Sequence, residues 1–127
     1  MSTRAVYSFK DKFGTHHVYK HCDGYPSGAV DAINAALAYS WLLPRFEADE
    51  FAAGFVAGNK HIQGGVRLTK GPQKHYDIEY QYIITASKGE LMIAAYETDT
   101  DENDKQTKKQ FYKGSFVEFE RKYKESN

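Results

Sequence analysis

At 127 residues the chain has the length of one domain, enough to bury roughly two-thirds of the surface that its unfolded form exposes. Its 17 lysines and arginines balance 17 aspartates and glutamates, which excludes a global basic field of the kind that drives non-specific DNA or RNA binding, so direct nucleic-acid binding is not favoured. A single cysteine excludes an internal disulfide, and no apolar run nears the roughly 18 residues of a membrane span or has the form of a signal peptide, so a cytoplasmic protein with no membrane contact is expected.

The chain opens with alternation: Ala5, Tyr7 and Phe9 fall on one side of a strand, Val6, Ser8 and Lys10 on the other. Asp11-Lys12-Phe13-Gly14 then makes a turn and β character resumes over 16–22, which predicts an N-terminal hairpin. Asp23-Gly24 is a second turn, in which Asp23 is expected to accept backbone N–H groups and Gly24 to take the unusual dihedrals. Pro26 suits a first helical turn, and Val30, Ile33, Leu37 and Trp41 recur at helical spacing up to a stop before Pro44. A second helix starts near Glu47, with Asp49 and Glu50 at its positive end, Phe51, Phe55 and Val56 on its core face, and Gly58-Asn59 as its stop.

Beyond it the period changes to two. Val66 to Thr69 is a short strand, and Tyr76 to Thr85 is a long one with Tyr76, Ile78, Tyr80, Tyr82 and Ile84 on one face, opposite Asp77, Glu79 and Gln81. Ser87-Lys88-Gly89 turns the chain into a strand over Glu90 to Thr98, and the polar run Asp99 to Lys108 reads as a loop. A last strand at Gln110 to Lys113 leads to Ser115 and Glu118, spaced as a capping box, with Phe116, Phe119 and Tyr123 on one face of a closing helix. The expected architecture is a single α+β domain over residues 1–127: an antiparallel sheet in the order ββααββββα with helices packed on one face.

His16, His17, His21, Cys22 and Asp23 crowd into one segment, but on a strand His17, Tyr19 and His21 face away from His16, Val18, Lys20 and Cys22. That alternation leaves too few convergent ligands for zinc and places His21 poorly as a base for Cys22, so no catalytic residue, metal set or cofactor is assigned. Asp99-x-Asp101-x-Asn103 opens like a calcium loop and then departs from it, with Asp104 at the glycine position and Gln110 where a bidentate glutamate belongs.

Ser2-Thr3-Arg4-Ala5, the hairpin, and Tyr19-Lys20-His21-x-Asp23-Gly24-Tyr25-Pro26-x-Gly28 resemble a family of small, mostly uncharacterised phage and prophage proteins. The resemblance covers the first thirty residues and extends to the Gly114-Ser115 helix start with Glu118 and Phe119. It implies a setting rather than a chemistry: proteins of this kind often counter a host defence. The expected function is therefore a non-enzymatic counter-defence factor that occupies a site on a host defence complex such as a CRISPR effector. Exposed tyrosines and the acidic residues Glu97, Asp99, Asp101, Glu102 and Asp104 are expected to form the contact surface. Two alternatives stand beside it. One is a sponge for a cyclic nucleotide, with Arg4, Lys20, His21 and Tyr25 at the pocket; the other is a metal-dependent hydrolase or nuclease using the histidines. The aromatic residues of the later strands also suggest a homodimer.

Overall fold

The computed structural model describes residues 2–75 and 77–124. The chain runs β1 (Ala5–Asp11), β2 (Gly14–Lys20), α1 (Pro26–Tyr39), α2 (Ala48–Asn59), β3 (Val66–Thr69), a 3-10 turn (Pro72–Lys74), β4 (Tyr80–Ser87), β5 (Glu90–Thr100), β6 (Gln106–Ser115) and α3 (Phe116–Tyr123). This is the expected α+β order. The six strands form one sheet in the spatial order β3-β2-β1-β4-β5-β6. It is mixed rather than wholly antiparallel, because β1 and β4 run parallel, with Ala5 opposite Tyr80 and Phe9 opposite Ile84. The crossover through both helices and β3 makes that possible, since parallel neighbours need a long connection rather than a hairpin.

All three helices cover one face. Tyr7 and Phe9 from β1, Val18 from β2, Tyr82 and Ile84 from β4 and Ile93 and Ala95 from β5 form the core there with Val30, Ile33, Phe51, Phe55, Phe116 and Phe119. Phe55 sits at its centre, with ring centroids 4.5 Å from Tyr7 and 5.3 Å from Phe9. Tyr7 stacks on Tyr82 at 5.2 Å, and Tyr82 donates a 2.6 Å hydrogen bond to the Gly24 carbonyl. The tyrosines therefore serve the core more than the surface: Tyr7, Tyr19 and Tyr82 are buried, while Tyr25 and Tyr39 are exposed. Of the later-strand aromatics that suggested a homodimer, Tyr82 is buried under the helices and Tyr80 packs partly buried against the same core.

Pro26 opens α1 as expected, but the helix ends at Tyr39, so Trp41 lies beyond it and instead lies under the Arg45 guanidinium, 3.4 Å from the ring centroid. Asp49 and Glu50 occupy the first turn of α2, and the Asp11 carboxylate reaches over from the hairpin to accept from the Ala48 N–H at 2.8 Å. Gly58 has a different reason than a helix stop: a Cβ there would lie 2.5 Å from the Ala35 carbonyl oxygen, so its absence lets α2 approach α1. The Asn59 side-chain amide then ties the two helices by donating to Ala32 and Phe55 carbonyls. Lys88 and Gly89 both have positive φ, as the two-residue turn of a tight hairpin requires. Ser115 caps α3 by accepting from the Glu118 N–H at 3.2 Å.

The second half of the sheet differs from expectation in its boundaries and in one face. Tyr76 lies outside the described residues, and β4 begins only at Tyr80. Ile78 does not share a face with Tyr82 and Ile84 but packs on the opposite side of the sheet with Val6 and Tyr19. The expected loop at Asp99 to Lys108 shrinks to a tip at 101–105: β5 continues to Thr100 and β6 starts at Gln106, with Glu97 opposite Lys109 and Asp99 opposite Thr107. Threonines at 98, 100 and 107 and a cross-strand charge pair favour that ladder although few of its side chains are apolar.

Candidate functional site

The carboxylates gather where the sheet's β5–β6 end meets the segment before β4. Ile78 is buried as an anchor, while the Glu79 N–H donates to the Arg4 carbonyl at 2.8 Å and Thr98 bonds back through both its N–H, to the Glu79 carbonyl, and its hydroxyl, to the Ile78 carbonyl. These bonds hold Asp77 and Glu79 beside Glu97 and Asp99. The result is a groove of about 420 Å³ lined by Asp77, Ile78, Glu79, Tyr80, Glu97, Thr98, Asp99 and Thr100. Four of those eight residues are acidic and none is basic. Arg4 stands at one margin, its Nε 3.1 Å from Asp77 Oδ2, and Lys108 and Lys109 stand across β5 in a neighbouring hollow with Glu97 and Asp99.

The rest of the expected acidic loop is the hairpin tip beyond the groove. Asp101 is structural there: its Oδ1 accepts from the Asn103 and Lys105 N–H groups, both at 2.9 Å. Asp104 takes a positive φ of 62°, and Glu102 and Asp104 are exposed. Sequence reasoning found Glu97, Asp99, Asp101, Glu102 and Asp104 but missed Asp77 and Glu79. Their only signal was alternation against Ile78, and the fold rather than the spacing brings them to β5.

Arg4, Lys20, His21 and Tyr25 do not line one pocket. Strand alternation sends Lys20 and His21 to opposite sides of the sheet. The Arg4 Nε–H lies 3.3 Å from His21 Nδ1, which the Tyr19 hydroxyl also approaches at 3.1 Å. Lys20 and Tyr25 line a separate hollow of about 270 Å³ with Asp23, Asp31, Asn59 and His61. Lys20 Nζ donates to the Cys22 carbonyl at 2.7 Å, and burial holds its pKa below the usual lysine range. The Tyr25 hydroxyl donates to Asp23 Oδ1 at 3.2 Å, and that carboxylate pushes the phenol pKa up. At this turn it is Asp23, with φ 60°, that takes the left-handed conformation, and its side chain serves Tyr25 rather than backbone amides. Gly24 is required for closeness instead, since a Cβ there would lie 2.7 Å from that of Ala5.

The histidines are dispersed as well. His16 is exposed, and His17 Nδ1 lies 2.7 Å from Ser8 Oγ on the sheet face opposite the helices. Gln81 Nε2 donates to the same Ser8 oxygen at 3.2 Å, and Lys108 Nζ donates to Gln81 Oε1 at 3.3 Å. With the amide so oriented, Ser8 has its one hydrogen left for His17 Nδ1, which is then unprotonated. Burial pushes the His17 pKa down, in keeping with a neutral ring. Ser8 is 1% exposed, so its hydroxyl is a link in this row and not a group that substrate can reach. Cys22 Sγ contacts Ser2 Oγ at 3.5 Å, away from His21.

Among the described residues no group of three histidine, cysteine, aspartate or glutamate side chains is placed to hold a metal ion, and no helix is long and apolar enough to cross a membrane. No protein-family model matches the chain, and no curated protein or solved structure matches it.

Proposed function

We propose that this chain is a non-catalytic binding protein that docks its carboxylate-lined groove onto a basic surface of a host defence complex, such as a CRISPR effector, and blocks it. The observation that carries the reading is the groove itself, with Asp77, Glu79, Glu97 and Asp99 on its lining and no lysine or arginine among them. A clustered row of carboxylates at one end of the sheet, on β5 and the segment before β4, presents the negative potential that a nucleic-acid channel is built to attract. The tip residues Glu102 and Asp104 extend that field beyond the groove. The resemblance of the first thirty residues to small phage and prophage proteins is the reason for naming a defence complex as the target.

Glu79, Glu97 and Asp99 are exposed, so charge reversal tests the surface without touching the core. Expressed in cells with an active CRISPR effector, the native chain should restore phage plating, and the Glu79→Lys, Glu97→Lys, Asp99→Lys triple variant should lose that protection at an unchanged melting temperature. Undiminished protection by the variant, or none by the native chain, removes the proposal.

A further inference from the structure

A second cleft lies at the opposite end of the sheet, and its chemistry is the reverse of the acidic groove. Because β1 and β4 are parallel, their carboxyl ends lie side by side, and crevices at such ends are where open sheets with parallel strands hold ligands. The β1–β2 turn and the β4–β5 turn flank this crevice, and the start of α2 closes it. The cavity measures about 770 Å³, within the usual range of small-molecule sites, roughly 300–1,000 Å³. Lys10, Lys12 and Lys88 line it, and none of the three has an ion-pair partner among the described residues.

The carboxylates nearby are largely accounted for. Asp11 is satisfied by backbone amides, Oδ1 accepting from Phe13 N–H at 2.9 Å and Oδ2 from Ala48 N–H at 2.8 Å. Glu47 is the remaining acidic residue on the lining, beside the three lysines and the positive end of the α2 dipole. Flat apolar surface completes the cleft: Phe46 and Pro44 on one wall, and Phe13 on the hairpin tip, 83% exposed with Lys12 Nζ 5.2 Å from its ring centroid. An exposed ring beside unpaired lysines suits a ligand that is planar and aromatic at one end and multiply anionic at the other.

We infer that this lysine cleft binds a nucleotide carrying at least two phosphates, with Lys10, Lys12 and Lys88 on the phosphates and Phe13 stacked on the base. The site is independent of the acidic groove and of the hollow lined by Lys20 and Tyr25.

Calorimetric titration of the full chain with ATP, with cyclic di-AMP and with inorganic tripolyphosphate tests it. The expected result is saturable binding of one of the two nucleotides at one per chain, tighter than that of tripolyphosphate. Lys10→Ala with Lys88→Ala should weaken that binding at least about tenfold, and Phe13→Ala by about tenfold. These residues are exposed, so melting temperatures should not move. No heat with either nucleotide overturns the inference. So does tripolyphosphate binding as tightly as the nucleotides with Phe13→Ala indifferent, or affinity that survives in the lysine variant and falls in Lys20→Ala. The Glu79→Lys, Glu97→Lys, Asp99→Lys variant should bind the nucleotide as the native chain does, which separates failure of this site from failure of the acidic groove.

Discussion

Tyr7 and Tyr82 are stacked, both fully buried, and differ in one respect that a single oxygen atom can test. The Tyr82 hydroxyl donates to the Gly24 carbonyl at 2.6 Å, whereas the Tyr7 hydroxyl is buried with no hydrogen-bond partner among the described residues. Burial pushes the Tyr7 phenol pKa far up, with the Asp23 charge adding to it, so the group is neutral at any ordinary pH. A buried hydroxyl without a partner costs about 1–3 kcal/mol, and Tyr7→Phe removes that cost while keeping the ring against Phe55 and Tyr82. Tyr82→Phe does the reverse: it removes one hydrogen bond and leaves a buried carbonyl unsatisfied, a loss of about 1–3 kcal/mol. For a chain of 127 residues, 1 kcal/mol corresponds to about 4 °C in melting temperature. Thermal and urea unfolding followed by circular dichroism should therefore show Tyr7→Phe more stable than the native chain and Tyr82→Phe less stable, with the two shifts opposite in sign. A Tyr7→Phe loss as large as that of Tyr82→Phe would refute the assignment of the orphan hydroxyl.

Gly58→Ala should destabilise by about 1–3 kcal/mol although alanine is the better helix former by about 1 kcal/mol, because its Cβ meets the backbone of Ala35; an increase in the urea midpoint would contradict the close helix contact. His17 and His75 both have pKa values held below 6.5, chiefly by burial, so the folded chain binds fewer protons than the unfolded one near that pH. Their contribution to stability is complete above about pH 6.5 and is lost as pH falls toward the lowered folded values. Unfolding free energy should thus begin to drop below pH 6.5, and His17→Gln should flatten that slope. The Asp11 carboxyl is held below its usual 3.8 by the Ala48 and Phe13 N–H groups, so its stabilisation is present above that pH and disappears further down. Asp11→Ala should lower stability at pH 7 and remove this late acid phase, which a pH series of melting curves reads directly.

Most of the elements were legible because burial on a sheet is written with a period of two and on a helix with one of 3.6. Ala5, Tyr7 and Phe9 announced the side of β1 that faces the helices, and Asp49 and Glu50 marked the start of α2. What could not be read was decided by backbone partners far away in the chain. Ile78 alternates with Tyr80 and Tyr82, yet the bonds from Glu79 to Arg4 and from Thr98 to Ile78 and Glu79 shift it to the other side of the sheet. The polar stretch beyond Asp99 carried no apolar signal, since its strand is held by pairing to β6 instead of by burial. For the candidate site, the carboxylates from Glu97 onward stood out as a cluster in the sequence. Their union with Asp77 and Glu79, and the meeting of Lys10 and Lys12 with Lys88, depend on which strands become neighbours.

The parallel pairing of β1 with β4 also imposes a timetable on the folding chain. The N-terminal hairpin and both following helices are complete in sequence before β4 exists, so β1 must wait with one edge unpaired until Tyr80 to Ile84 arrive. Closing so distant a contact carries loop entropy that local hairpins do not, so the docking of β4 is a costlier step than closing any of them. During synthesis the half-built sheet would expose that edge, with Tyr7 and Phe9 beside it, and the last third of the chain acts as the cover that removes a self-association hazard.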